Sequence, residues 1–131
     1  MKVTVDTNVL VRAVVRDDKR QAEAAAKLLR SADLLAVAVS SLCELVWVLR
    51  RVYGFSATEA AAAIRALIGA GNVAVDRPTV EAGLAMLDAG GDFADGVIAY
   101  EGRWLGAETF VSFDKKAVDM LAAAGVPARL L

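Results

Sequence analysis

Short apolar runs alternate with longer helical segments along this chain, and this alternation constrains the fold more than any other feature of the sequence. The helical segments carry apolar residues at the i, i+3, i+4 spacing, whereas the short runs are rich in Val, Leu and Ala. Strands separated by helices form parallel sheets that are covered on both faces. The predicted class is therefore α/β, a three-layer α/β/α domain with a mostly parallel central sheet. The predicted strands are Lys2–Asp6, Leu34–Val39, Val73–Val75, Thr109–Ser112 and Ala128–Leu130.

Seven helices are predicted between these strands. Two of them begin with the S-x-x-E pattern of a capping box, formed by Ser41 with Glu44 and by Ser56 with Glu59. The predicted helices are Asn8–Arg16, Asp18–Arg30, Ser41–Tyr53, Ser56–Ile68, Thr79–Asp88, Asp92–Leu105 and Asp114–Ala123.

Composition excludes several kinds of site. The chain has 131 residues, of which 57% are hydrophobic, and we expect a single domain over residues 1–131. It has no histidine and one cysteine, Cys43, so nucleophile–histidine triads, imidazole metal sites, cysteine zinc sites and intramolecular disulfides are excluded. A net charge of −1 argues against a protein that coats nucleic acid without specificity.

The expected location is the cytoplasm. A single cysteine fits a reducing compartment, and Met1-Lys2 leads directly into a strand, without the pattern of a secretory signal. The uncharged stretches Leu34–Cys43 and Ala66–Val75 are too short to span a bilayer, so no membrane association is expected.

Four acidic residues stand in apolar surroundings: Asp6, Glu44, Asp95 and Asp114. Carboxylates are rarely buried without a partner, so this set predicts a metal site. Ligands of parallel sheets bind outside the carboxyl ends of the strands, where Asp6 and Asp114 are expected. Glu44 is predicted in the first turn of the helix after the second strand, and Asp95 in the first turn of its own helix.

Each acid also has an ordinary explanation. Glu44 is the capping-box partner of Ser41, Asp114 is a helix cap, and Asp6 is suited to an Asx-turn. Asp92 is a good N-cap, and Asp95 stabilises the same helix terminus through the dipole. Ordinary roles for all four acids at once are a rarer combination than an ordinary role for any one acid.

The motifs Asp6-Thr7-Asn8, Glu44, Asp92-Phe93-Ala94-Asp95 and Ser112-Phe113-Asp114, in this order, resemble the acidic signature of the PIN-domain ribonucleases, specifically the VapC toxins. The resemblance covers nearly the whole chain and implies a PIN-like domain. It implies a catalytic quartet of Asp6, Glu44, Asp95 and Asp114, with Thr7, Asn8, Asp92 and Ser112 in support. Gly96 departs from the larger small residue expected after Asp95, and it lowers helix propensity by roughly 1 kcal/mol relative to Ala.

The chemistry of the four acids points to a hard cation. Oxygen ligands without His or Cys favour Mg²⁺ or Mn²⁺. We assign Asp6, Asp95 and Asp114 as metal ligands and Glu44 as the group that orients or deprotonates the attacking water. The resemblance implies an RNA substrate, cleaved endonucleolytically to leave a 5′-phosphate and a 3′-hydroxyl.

Two other function classes stay open. One is a phosphotransfer or phosphatase domain with an Asp at the first strand end. A phosphatase of that kind has a second acid where Asn8 stands, and a receiver domain has an acid where Val39-Ser40 ends the second strand. The other class is a noncatalytic binding module that retains the fold, against which the four intact acids count.

The helix predicted at Ser41–Tyr53 has apolar residues on more than one side. Leu42, Leu45, Val46, Leu49 and Tyr53 form one stripe that should face the sheet, whereas Trp47 and Val48 project elsewhere. Either the helix Ser56–Ile68 covers them or they belong to a protein interface. The resemblance supplies two partners, a second copy in a homodimer and a cognate antitoxin that places a basic side chain among the acids.

Overall fold

A computed structural model describes all residues, Met1–Leu131. The chain forms two compact units, Met1–Asp76 and Arg77–Leu131, which are described here one at a time. The expectation of a single domain over residues 1–131 stays a prediction.

The first unit contains a three-stranded parallel sheet and four helices. The strand order is β1-β2-β3, and Leu35 at the centre of β2 pairs with Val3 on one side and Val73 on the other. Leu35 is completely buried, as are the leucines Leu42, Leu45 and Leu49 of the predicted stripe. The elements are β1 (Lys2–Thr4), α1 (Thr7–Val15), α2 (Lys19–Ser31), β2 (Leu34–Ala36), α3 (Val39–Arg51), α4 (Ala57–Ile68) and β3 (Val73–Ala74).

The junction between β2 and α3 corrects two predictions. The strand ends at Ala36 and the helix begins at Val39, so the predicted strand Leu34–Val39 is too long and the helix start at Ser41 is wrong. The last sheet bond runs from the Val37 amide to the Ala74 carbonyl, where β3 itself ends. Beyond that point the valine-rich run has no strand to pair with, and its β propensity yields to the helix.

The predicted capping box at Ser41 is also wrong. Ala38 occupies the N-cap of α3 and provides no side-chain cap, while the Ser41 amide donates to the Ala38 carbonyl. Glu44 therefore lies in the second turn of α3, and its carboxylate is not used to cap the helix. The other predicted capping box, Ser56 with Glu59, is confirmed in both directions.

The second unit contains three helices and a parallel strand pair. Val111 in β4 pairs with Arg129 in β5. Met86, Ala99 and Leu121 form the centre of a small core, against which Phe110 and Val126 pack. The elements are α5 (Arg77–Asp88), α6 (Phe93–Trp104), β4 (Phe110–Ser112), α7 (Lys115–Ala123) and β5 (Ala128–Leu130).

Two glycines bring α5 and α6 close together. A Cβ at Gly83 would lie 2.7 Å from the ring of the buried Phe93, and a Cβ at Gly96 would lie 2.4 Å from the Ala82 carbonyl oxygen. Gly96 thus departs from the expected residue because a side chain at this position would collide with the backbone of α5. The loss of helix propensity is accepted for close packing.

The helices and strands of the structure confirm the predicted fold class. All three strand pairs are parallel and seven helices separate the strands, consistent with the predicted three-layer α/β/α class. No helix is both long and apolar enough to cross a membrane.

Candidate functional site

Asp6 caps the first helix. It follows the buried Val5 and adopts an extended backbone, and its Oδ1 accepts from the Val9 amide at 3.2 Å. This bond to the amide three residues further on makes Asp6 the N-cap of α1 rather than the Asx-turn residue of its ordinary explanation. Its Oδ2 accepts no hydrogen bond, and the side chain is exposed, so one carboxylate oxygen is available to a ligand.

Glu44 is held by the residue that follows Asp6. The Thr7 hydroxyl donates to Glu44 Oε2 at 2.9 Å, which joins the first turn of α1 to the second turn of α3. Thr7 was expected to support the first acid, and in the structure its side chain supports the second. The first unit thus brings Glu44 beside the Asp6-Thr7 segment, although the two residues are 38 positions apart in sequence. Asn8 is exposed in the same turn.

Two acids of the second unit are helix caps. Asp92 Oδ1 accepts from the Ala94 amide at 3.0 Å, and Asp114 Oδ1 accepts from the Ala117 amide at 3.2 Å. Ser112 fixes the turn before α7, because its Oγ accepts from the Asp114 amide at 2.9 Å. As at Asp6, each cap uses Oδ1 and leaves Oδ2 without an intramolecular partner.

Asp95 differs from the other predicted acids, because the only ordinary explanation that applies to it is the helix dipole. It lies in the first turn of α6, half-buried, and its carboxylate accepts no hydrogen bond. Burial raises the pKa of Asp95, and the neighbouring charges of Asp92 and Asp114 raise it further. Three carboxylates of the second unit therefore repel one another at this point, and a cation would relieve that repulsion.

The donor chemistry fits a hard divalent cation. The available ligand atoms are carboxylate oxygens, and Mg²⁺ and Mn²⁺ prefer these over the nitrogen and sulfur ligands of zinc. Neither unit by itself contains three acidic side chains grouped closely enough to hold a metal ion. The ligand set of Asp6, Asp95 and Asp114 therefore stays a prediction.

A groove lies beside Asp6 between α1 and α2. It has a volume of about 390 Å³, and its lining combines apolar residues with polar ones: Asp6, Asn8, Val9, Arg12, Gln21, Ala24, Ala25 and Leu28. Arg12 is fixed in this wall because it donates to Gln21 Oε1 at 2.8 Å and to Asp17 Oδ1 at 2.7 Å. The Tyr53 hydroxyl donates to the other oxygen of Asp17 at 2.9 Å.

The sequence did not predict the hydrogen-bond network of Arg12, Asp17 and Tyr53. Its members come from α1, the following loop and the turn after α3, so no local spacing identifies them. The hydrogen bond from Tyr53 and the charge of Arg12 lower the pKa of Asp17, whereas the bond to Asp17 raises the pKa of Arg12.

A family model described as the PIN domain matches residues 3–123. The chain belongs to the PIN domain family. The match runs through all four predicted acids and covers most of both compact units. Among curated proteins, the comparison found no matching relative.

Membership fixes the coarse chemistry. PIN domains are generally nucleases, hydrolases that typically use divalent metal ions and act on nucleic acid. The phosphotransfer alternative belongs to other families, and Asn8 stands where an aspartyl phosphatase has its second acid. The acids that cap or begin α1, α6 and α7 are therefore the candidate nuclease residues of this PIN domain.

Proposed function

We propose that this PIN domain is an endoribonuclease of the VapC toxin type, which hydrolyses RNA phosphodiester bonds with the help of carboxylate-bound Mg²⁺ or Mn²⁺. The observation that carries the proposal is the state of Asp95. A half-buried carboxylate that accepts no hydrogen bond and faces two negative neighbours is unfavourable without a cation.

The proposed ligands are Asp6, Asp95 and Asp114, and Glu44 orients or deprotonates the attacking water. When bound, the ion would acidify water and stabilise charge that develops on the phosphate. The caps fix Asp6 and Asp114 through Oδ1 and leave Oδ2 for the ion, while Thr7 holds the Glu44 carboxylate. In these roles Asn8, Asp92 and Ser112 are supporting residues, of which Ser112 fixes the backbone at Asp114.

The proposed substrate is RNA, cut internally to leave a 5′-phosphate and a 3′-hydroxyl. The proposed regulator is a cognate antitoxin that places a basic side chain among the acids. The groove between α1 and α2 supports this partner, since its lining combines apolar residues with the carboxylate of Asp6. An amphipathic segment with a basic residue is complementary to such a surface.

We also propose a homodimer that acts in the cytoplasm. Support for a second copy comes from large apolar side chains that are exposed on the second unit: Ile98, Trp104, Leu105 and Val111. Exposed apolar groups of this size favour association.

Cleavage of a labelled RNA by the purified protein tests the proposal. We expect cleavage with Mg²⁺ or Mn²⁺, none in excess EDTA, and loss of activity in Asp95→Asn. Glu23→Gln is the matched control, because Glu23 is an exposed acid on α2 with no hydrogen bond. Undiminished cleavage in EDTA would refute the metal mechanism. Metal-independent binding of RNA without cleavage would instead favour the noncatalytic binding module.

A further inference from the structure

The outer face of α3 carries an exposed aromatic residue beside Glu44. The buried residues of this helix lie on one side, and the positions opposite them are Ser40, Glu44, Trp47 and Arg51, all exposed. At 1.5 Å per residue, Trp47 lies about 4.5 Å and Arg51 about 10.5 Å further along the helix axis than Glu44. We call Glu44, Trp47 and Arg51 the α3 strip.

Trp47 is not used by the core of its own unit. It is 60% exposed, so the expectation that α4 covers it is wrong, whereas Val48 is half-buried. The guanidinium groups of Arg50 and Arg51 are likewise exposed, and neither has a carboxylate partner. An aromatic ring and two free cations are thus presented within one helical turn.

The chemistry of the α3 strip favours nucleic acid over protein. Glutamate is depleted at the centres of protein interfaces, and Glu44 is an exposed neighbour of Trp47 on this strip. A single-stranded nucleic acid supplies both complements, a base that stacks on the indole ring and a phosphate that accepts from an arginine.

The same juxtaposition occurs independently in the second unit. Phe113 is 80% exposed and stands between Ser112 and Asp114, on the turn whose geometry is fixed by the Ser112–Asp114 hydrogen bond. No packing contact accounts for an aromatic ring at this exposed position. In both units an exposed ring therefore accompanies a predicted catalytic acid.

We propose that Trp47 and Phe113 are each a stacking site for an unpaired RNA base, and that Arg51 binds a phosphate of the strand that stacks on Trp47. This inference rests on the proposed nuclease function and adds to it the residues that hold the substrate. The sequence alone left open whether α4 covers Trp47 or a protein binds it, and a protein partner becomes an outcome of the test.

Tryptophan fluorescence gives a direct readout, because the chain has only two tryptophans. The Asp95→Asn variant keeps the RNA intact, and adding W104F leaves Trp47 as the only emitter. We expect a single-stranded RNA of about 10 nucleotides to quench this emission on binding. The matched protein carries W47F in place of W104F. Its emitter, Trp104, lies at the far end of α6 from Asp95, and it should not be quenched.

Binding measurements test each residue separately. W47A and F113A should each weaken RNA affinity about 10-fold or more, whereas W47F and F113Y should retain it. R51Q should reduce the slope of log affinity against log salt by about 0.7, the value for one lost phosphate contact on a single strand. R30Q is the control, since Arg30 is exposed at the end of α2, next to the amino end of β2 and not its carboxyl end.

The outcomes separate this inference from the proposed function. Suppose that the wild-type protein cleaves RNA but RNA leaves Trp47 emission unchanged in the Asp95→Asn variant with W104F. This result would overturn the inference and leave the proposed nuclease function intact. A W47A variant that sediments as a smaller species but binds RNA normally would assign the α3 strip to a protein interface. That result would also overturn the inference. Absence of both cleavage and RNA binding would overturn the proposed function.

Discussion

One acid of the second unit, Asp95, is held differently from the two acids of the first unit. In the first unit Asp6 accepts a backbone amide and Glu44 accepts the Thr7 hydroxyl, so each carboxylate has a partner of its own. In the second unit Asp95 has no such partner, and burial raises its pKa, with a further contribution from the charges of Asp92 and Asp114. The difference shows that hydrogen bonds position the first pair without opposing folding, whereas the second group is a repulsive arrangement that folding has to overcome.

The largest effect is expected from Asp95→Asn. The amide keeps the shape but removes the negative charge, so RNA cleavage should fall by about 100- to 1,000-fold, the range for loss of an electrostatic contact in the transition state. The melting temperature without metal should stay the same or rise, because a repulsion is removed. Activity assays and thermal denaturation of the same samples measure both. A variant that keeps its activity and unfolds much earlier would place Asp95 among the structural acids.

Gly96→Ala tests whether the tight packing of α6 against α5 keeps Asp95 beside Asp92 and Asp114. The added methyl would lie 2.4 Å from the Ala82 carbonyl oxygen, so α6 must shift away from α5. We expect a loss of about 1–3 kcal/mol in the free energy of unfolding, with lower activity. Gly102→Ala is the control in the same helix, since only Ala107 Cβ comes within 4 Å, at 3.9 Å, and Ala there should stabilise the helix. Equal denaturation midpoints for both variants would contradict the packing argument.

Thr7→Val tests the hydrogen bond that distinguishes the first unit. Glu44 loses the donor that orients it, and we expect activity to fall about 10-fold, as for other groups that orient a functional side chain. Thr4→Val is the matched control, because the Thr4 hydroxyl donates to the Ala36 carbonyl at 3.0 Å and does not contact Glu44. If both variants lose similar stability but only Thr7→Val loses activity, the result supports the role of Thr7 in positioning Glu44. Equal activities of the two variants would contradict that role.

The smallest effect concerns the pH dependence of stability. The pKa of Asp95 is raised in the folded state, so the folded protein binds more protons than the unfolded chain just above pH 3.9. Asp95 therefore lowers stability as pH rises through that range. Asp17, Asp33 and Glu59 have lowered pKa values and act in the opposite direction, losing their contribution as pH falls.

Comparison of wild type with Asp95→Asn isolates the Asp95 contribution. Urea unfolding without metal at several pH values should show the variant gaining stability over the wild type as pH rises through the carboxylate range, from roughly 3 to 7. A constant difference across this range would show that the Asp95 carboxylate is not perturbed.

The sequence predicted helices and strands closely wherever local signals are strong. All seven helices and five strands are present, with most ends within two residues of the predicted bounds. The caps at Asp92 and Asp114 and the capping box at Ser56 were also predicted, because these bonds join residues two or three positions apart. The same local reasoning was wrong at Ser41, where the end of β3 decides where β2 stops.

The sequence by itself determined the α/β class, the family resemblance and the choice of four acids as predicted site residues. Each of these follows from residue types and their spacing along the chain. The tertiary structure decided which acids have partners. The bond from Thr7 to Glu44, the need for glycine at position 96 and the exposure of Trp47 all depend on packing between elements distant in sequence. Local propensities act over a few residues, whereas these contacts form only when helices and strands have docked.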